Sequence, residues 1–163
     1  MHWAVEELRR IMTPPEVGDA VDWDSVRDEF GWVLPADYRD FVAVYGMGAI
    51  SDSIAISTPP FPGYPYGDHL LYNVEYPPPD GVLQWGTNEA ADSFLWRCNG
   101  APDQWTVVFS PRRRDRQLGY DMGMAEFLLL LVQGRISVPL GAQLDINPPT
   151  YETWRDEERR LLD

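Results

Sequence analysis

Few side chains in this sequence have the chemistry to make or break a bond. There are two histidines, His2 and His69, and one cysteine, Cys98. A Cys98–His69 pair would act as nucleophile and base only with a third group to orient the imidazole, and with an exposed, easily ionised thiol. Cys98 instead ends a strand-like run just before Asn99-Gly100, a position that suits a half-buried structural thiol. No Cys-x-x-Cys or His-Glu-x-x-His spacing is present, so neither a transition metal nor a cofactor is expected. Asp19, Asp22 and Asp24 alternate as calcium ligands do. The stretch lacks the central glycine and distal glutamate of an EF-hand loop, and reads better as a helix start. Gly46-Met47-Gly48 has no lysine or following helix to make it a phosphate cradle. Glu89 and Asp92 would serve a hydrolase only if a cleft held them at a suitable separation, and 26 acids make coincidental pairs inevitable. The expectation is a protein that is not an enzyme.

Charge points to recognition. The net charge is −13, and residues 1–96 hold four arginines against sixteen acids, a net of −12. Residues 97–163 are nearly balanced, with nine arginines against ten acids. An acidic half repels phosphate backbones and anionic membranes and steers basic partners toward it. Plain solubility explains the same surplus. Asp52, Asp68, Glu75, Asp80, Glu89 and Asp92 lie in or beside expected loops and strand ends, interleaved with Tyr64, Tyr66, Tyr72, Tyr76 and Trp85. Rings beside carboxylates suit a basic protein surface: the rings supply buried area and cation–π contact, the acids steering and bidentate arginine pairing. The competing reading puts Trp85 and Tyr72 in the core and leaves the acids as solvated surface. Residues 112–116 look basic, but Asp115 interrupts them and the chain as a whole repels nucleic acid, so they read as a solvated turn.

The elements that must position these residues centre on residues 30–48. Pro35 stops what precedes it and starts a helix at Ala36. Tyr38, Phe41, Val42 and Tyr45 fall on one apolar face of that helix, with Asp37, Arg39 and Asp40 pointing elsewhere. Gly46 takes the place of a left-handed terminator. Before it come a short helix at 3–12 and a second at 23–30 capped by Asp22. After it, Ile50, Ile54 and Ile56 suggest a strand. Seven prolines in residues 58–79 leave room for an ordered surface loop, with a short strand at most around 70–74. Strands are expected at 82–86, 93–97, 105–109 and 117–121, the third internal and buried on both faces. An apolar helix at 124–133 ends at Gly134, and Thr150 caps a last helix at 151–162. Trp96, Trp105, Phe109 and Phe127 belong to the core. A chain of 163 residues is most simply one domain, burying roughly 70% of its unfolded surface. Its longest apolar run, residues 127–132, is far short of the ~20 residues of a membrane span. The sequence shows no signal peptide and one cysteine, so cytoplasmic residence is expected.

A helix ending in Phe30-Gly31, then Leu-Pro-x-x-Tyr-Arg-x-Phe over residues 34–41 and a Gly-x-Gly exit, resembles the amino-terminal signature of the SUKH (Smi/Knr-like) superfamily. The second half is similar too. A Trp-Gly turn at 85–86, a Trp-bearing strand, a Trp-x-Val-Val strand at 105–108 and the Glu-Phe-Leu helix ending in Gly134 follow in the family's order. The likeness covers about residues 22–134. The Pro/Tyr-rich insertion at 58–79, the first helix and the extension at 140–163 depart from it. The resemblance implies an α+β fold, with a twisted, mainly antiparallel sheet of about four to six strands and helices packed on it. It also implies a non-catalytic bacterial immunity protein that binds and neutralises a toxin, often a nuclease, with a basic surface. The alternative is an intracellular adaptor with no toxin partner, as in the family's fungal branch. The residues expected to meet the partner are Asp52, Tyr64, Tyr66, Asp68, Tyr72, Glu75, Asp80, Trp85, Glu89 and Asp92. Oligomeric state is left open.

Overall fold

The computed structural model describes residues 1–113, 116–139 and 148–163. The middle of the arginine turn and the start of the expected carboxy-terminal extension lie outside the described residues. Three helices open the chain: α1 (Trp3–Ile11), α2 (Trp23–Phe30) and α3 (Ala36–Tyr45). A hairpin of β1 (Gly48–Ile50) and β2 (Ile54–Ile56) follows. After a long loop come β3 (Val82–Asn88), β4 (Ser93–Arg97), β5 (Thr106–Ser110) and β6 (Leu118–Tyr120). Helix α4 (Met124–Val132), strand β7 (Tyr151–Thr153) and helix α5 (Trp154–Leu162) complete it. Every described strand pair is antiparallel, in the order β6-β5-β4-β3-β2-β1-β7. The fold is α+β as expected, with seven strands rather than four to six.

Two strands go beyond the five read in the sequence. Ile50, Ile54 and Ile56 belong to two strands rather than one. Ser51 and Asp52 both take positive φ, 48° and 54°, and the Ser53 N–H donates to the Ile50 carbonyl at 2.9 Å. That closes a tight hairpin turn of the primed kind whose twist matches the strands it joins. Strand β7 occupies what reads in sequence as the first turn of the last helix. Its three residues pair with β1, and the helix cap moves from Thr150 to Thr153, whose hydroxyl accepts from the Asp156 N–H. The strand expected around 70–74 does not form; those residues make turns.

One sheet face carries Leu83, Trp85, Phe94, Trp96, Val107 and Phe109 into a core shared with α1, α3 and α4. Tyr38 meets Trp96 edge-on with ring centroids 4.9 Å apart, and Phe127 of α4 sits 5.9 Å from Phe94. Tyr38, Phe41, Val42 and Tyr45 are fully buried, as their spacing requires. On the opposite face Ala49 and Ala55 stand side by side, in register with each other and with Glu152 of β7.

Asp37 corrects one expectation. It does not point away from the core but is 8% exposed. Its Oδ1 accepts from the Tyr38 N–H at 2.8 Å, and its Oδ2 from the Ala125 N–H, in the first turn of α4, at 3.0 Å. The α4 cap position is Gly123, which offers no side chain; a Cβ there would come within 2.7 Å of Asp37 Oδ2. One carboxylate thus serves the positive ends of two helices. Replacing Asp37 with Ala leaves the Tyr38 and Ala125 N–H groups without their acceptor, although Asp103 still accepts from the Ala36 N–H at the start of α3, so D37A is expected to lose about 2–3 kcal/mol in urea unfolding. D37N retains an acceptor and should lose less.

Candidate protein-binding groove

Four of the ten expected partner-binding residues, Asp52, Tyr64, Tyr66 and Asp68, line one open groove of about 560 Å³. Its floor is the outer sheet face at Ala49 and Ala55, where small side chains leave space. Asp52, projecting from the β1–β2 turn, closes one end. The loop at 58–79 forms one wall, and the segment β7–α5 the other, with Glu152, Trp154, Glu157 and Arg160.

The loop wall is held by ordinary bonds despite its prolines. The Leu70 N–H donates to the Thr58 carbonyl at 3.0 Å, and Leu70 and Leu71 are buried in the core. Where the loop leaves β2, the Tyr38 hydroxyl donates to the Ser57 carbonyl at 2.6 Å. The Tyr64 hydroxyl donates to the Asp68 carbonyl at 2.7 Å, closing the loop on itself. Rings then run in a chain from Trp154 to Phe61, Tyr64 and Tyr66, with successive centroids 6.1, 5.1 and 5.9 Å apart. Phe61 is buried and Tyr66 is 55% exposed, so the chain leads from the core to solvent.

The second wall depends on Asp19. Its side chain is fully buried and accepts from the Met47 N–H at 2.7 Å, the Arg155 guanidinium at 2.7 Å and the Trp154 indole N–H at 3.4 Å. Arg155 also lies over the Trp154 ring, 4.4 Å from its centroid. Gly46 has φ 71° and ψ −167°, a region open to glycine and not the left-handed helical one expected. A Cβ at Gly46 would meet Asp19 Oδ2 at 2.7 Å. Asp19 therefore acts as a structural clasp, and neither the calcium pattern nor a helix start describes it.

Four carboxylates border the groove (Asp52, Asp68, Glu152 and Glu157) against one arginine, Arg160. Arg160 pairs bidentately with Glu152 at 2.8 and 3.1 Å. This hydrogen bonding holds the Glu152 carboxyl below its usual pKa and raises that of Arg160. His69 lies against the loop wall, its ring 5.2 Å from that of Phe30 and 6.0 Å from that of Tyr72. Burial lowers its pKa, with Glu29 and Asp68 pulling the other way.

The other expected residues divide. Tyr72 and Glu75 line a shallower depression beside the groove, reached across His69. Glu89 is exposed on the β3–β4 turn and accepts from the Ser53 hydroxyl at 3.5 Å, beside the Asp52 turn. Asp80 is exposed at the start of β3, away from the groove lining. Trp85 and Asp92 are corrections. Trp85 occupies the bulge where the β3–β4 register slips between Gln84 and Gly86. Its ring points into the core among Phe94, Trp96 and Phe127 at 0% exposure, beyond any partner's reach. Asp92 is 7% exposed and fully engaged, accepting from Asn88 Nδ2 at 3.0 Å and the Arg112 N–H at 2.9 Å. It holds the hairpin turn, so it cannot serve with Glu89 as a hydrolytic pair.

Sequence reasoning missed Glu152, Trp154, Glu157 and Arg160, because nothing local ties residues near 155 to residues near 50. The alternation of Ile50, Ile54 and Ile56 with Ala49 and Ala55 was the one available signal for a solvated floor. Cys98 is half-buried, and its thiol pKa is pushed up to about 12, chiefly by burial and further by Asp80. Among the described residues no three His, Cys, Asp or Glu side chains cluster closely enough to hold a metal ion, and no helix is long and apolar enough to cross a membrane. Compared with protein-family models, curated proteins and solved structures, the chain matches none.

Removing the clasp orphans the Met47 N–H and the Arg155 charge together. D19A is expected to lose about 2–4 kcal/mol in urea unfolding, discounted for the partial exposure of Arg155. Trp154 fluorescence should report the loss of the α5 wall, provided the other tryptophans are replaced by Phe one at a time to assign the signal. A Cys98 pKa of about 12 leaves almost no thiolate at pH 8. Iodoacetamide should therefore label Cys98 slowly in the native protein and rapidly in 8 M urea, read by mass spectrometry.

Proposed function

We propose that this chain is a non-catalytic binding module of the immunity type, whose groove covers a basic surface on a protein toxin. The observation that carries the reading is the meeting of Asp52, Asp68, Glu152 and Glu157 with the rings of Tyr64, Tyr66 and Trp154 on one accessible face. Carboxylates at such a face repel phosphate and attract arginine and lysine, while rings supply desolvated contact area. The SUKH resemblance over residues 22–134 supports the same role. The two walls of the groove come from the insertion and the carboxy-terminal segment, which depart from that resemblance, while its floor and Asp52 lie within it; such departures are where partner choice belongs. Where the toxin is a nuclease, the acids take the place of the substrate's phosphates on its basic active face. Action on such a toxin implies residence in the cytoplasm.

The test is protection. Cells expressing the product of the adjacent reading frame should survive with this chain and die with the triple variant D52N/Y66A/D68N. For the purified pair, loss of Tyr66 alone should weaken binding about tenfold. Raising salt from 50 to 500 mM should weaken it further, mainly by slowing association. Affinity indifferent to salt, or full protection by the triple variant, would sink the proposal. An adaptor with no toxin partner would show no protection at all.

A further inference from the structure

The groove already contains one cation, and it comes from the chain itself. Arg160 lies in the last turn of α5, yet its guanidinium reaches back eight residues to grip Glu152 through both carboxylate oxygens. Asp52 and Glu157 reinforce the positive charge on Arg160 through space. Among the described residues, neither Asp52 nor Asp68 forms an ion pair, so four carboxylates border the groove and one guanidinium answers them. The pair is also exposed: the Arg160 side chain keeps 59% of its accessible surface. Its two parallel bonds make it firmer than a typical surface pair, but its guanidinium stays open to solvent and to a competing cation. A planar cation is therefore seated there beside acids that lack one.

The walls favour one cation over others. Carboxylates that can accept two parallel N–H bonds match the fork of a guanidinium, which lysine lacks. The faces of Tyr64 and Tyr66 beside Asp68 offer stacking that a guanidinium uses well. Arg155 over Trp154 shows the same chemistry at the base of the wall. We infer that the groove is an arginine-binding site, that Arg160 is its occupant in the unbound protein, and that an arginine of the partner competes with Arg160 for these carboxylates. The inference rests on the groove being the partner-binding face and specifies what enters it. It makes Arg160 a built-in competitor that lowers affinity for weakly basic surfaces and yields to a well-placed arginine.

The experiment uses the full chain and three small probes: N-acetyl-arginine amide, N-acetyl-lysine amide and N-acetyl-citrulline amide, followed by NMR at the Trp154 indole N–H. The arginine probe should shift that signal saturably. The lysine probe should bind several-fold more weakly, and citrulline, isosteric but neutral, not measurably. R160Q should tighten arginine binding by about two- to fivefold, the gain set by losing a solvent-exposed competitor. D52N/D68N should weaken it about tenfold or more, with unchanged unfolding curves confirming that both variants fold. Equal binding of arginine and citrulline, or R160Q binding no tighter than the parent, overturns the inference. If arginine fails to bind while D52N/Y66A/D68N still abolishes protection, the groove remains the partner face and only the arginine assignment falls. If arginine binds as expected while the triple variant still protects, the arginine site stands and the immunity role of the groove falls.

Discussion

A single buried carboxylate, that of Asp19, ties together three stretches of chain remote in sequence. Burying an ionised carboxylate is costly unless every lone pair that matters finds a donor. Here the donors are the backbone leaving α3, an indole and a guanidinium. The first sets how the chain turns from α3 into β1, through a glycine whose conformation other residues resist. The other two anchor the start of α5. Without them the carboxy-terminal segment would rest mainly on a three-residue ladder with β1 and on the Tyr151 ring, whose hydroxyl donates to the Gly46 carbonyl. The clasp thus decides whether the groove has one wall or two.

The two faces of the sheet carry different side chains. On the core side, large rings dominate. The indole N–H groups of Trp32, Trp85 and Trp96 are buried there and have no hydrogen-bond acceptor among the described residues. Each orphan N–H costs about 1–3 kcal/mol. A buried tryptophan removes roughly 200 Å² from water, contributing about 5 kcal/mol at 25 cal/mol per Å², so burial wins. On the outer face, at the β2–β1–β7 end, side chains shrink to Ala49 and Ala55 and the charges gather at the rim. A floor of small residues leaves open space between the rim groups.

Asp19, Asp37 and Asp92 are also a warning about reading acids as surface. Each is buried, and each accepts backbone N–H groups that the fold would otherwise leave unpaired. Short acidic side chains satisfy nearby backbone donors better than most alternatives, so an acid-rich sequence spends part of its charge on architecture. Other acids, Asp52, Asp68, Glu152 and Glu157 among them, border the open groove instead.

The sequence alone determined the helices, most of the meander and the core. Periods of 3.6 and 2, proline starts and glycine stops are local signals, and burial of Tyr38, Phe41, Trp96 and Phe127 follows from them. It also marked Tyr64, Tyr66 and Asp68, because a carboxylate beside rings within one loop is visible without a fold, and Asp52 at a strand end. The tertiary structure decided the rest. A three-residue strand such as β7 is specified by its pairing with β1, a contact spanning about a hundred positions that no local pattern encodes. Hydrogen-bond demand at a hairpin consumed Asp92. Which charges remain at the surface, and which meet in one groove, depends on distances through space, and those exist only once the chain has folded.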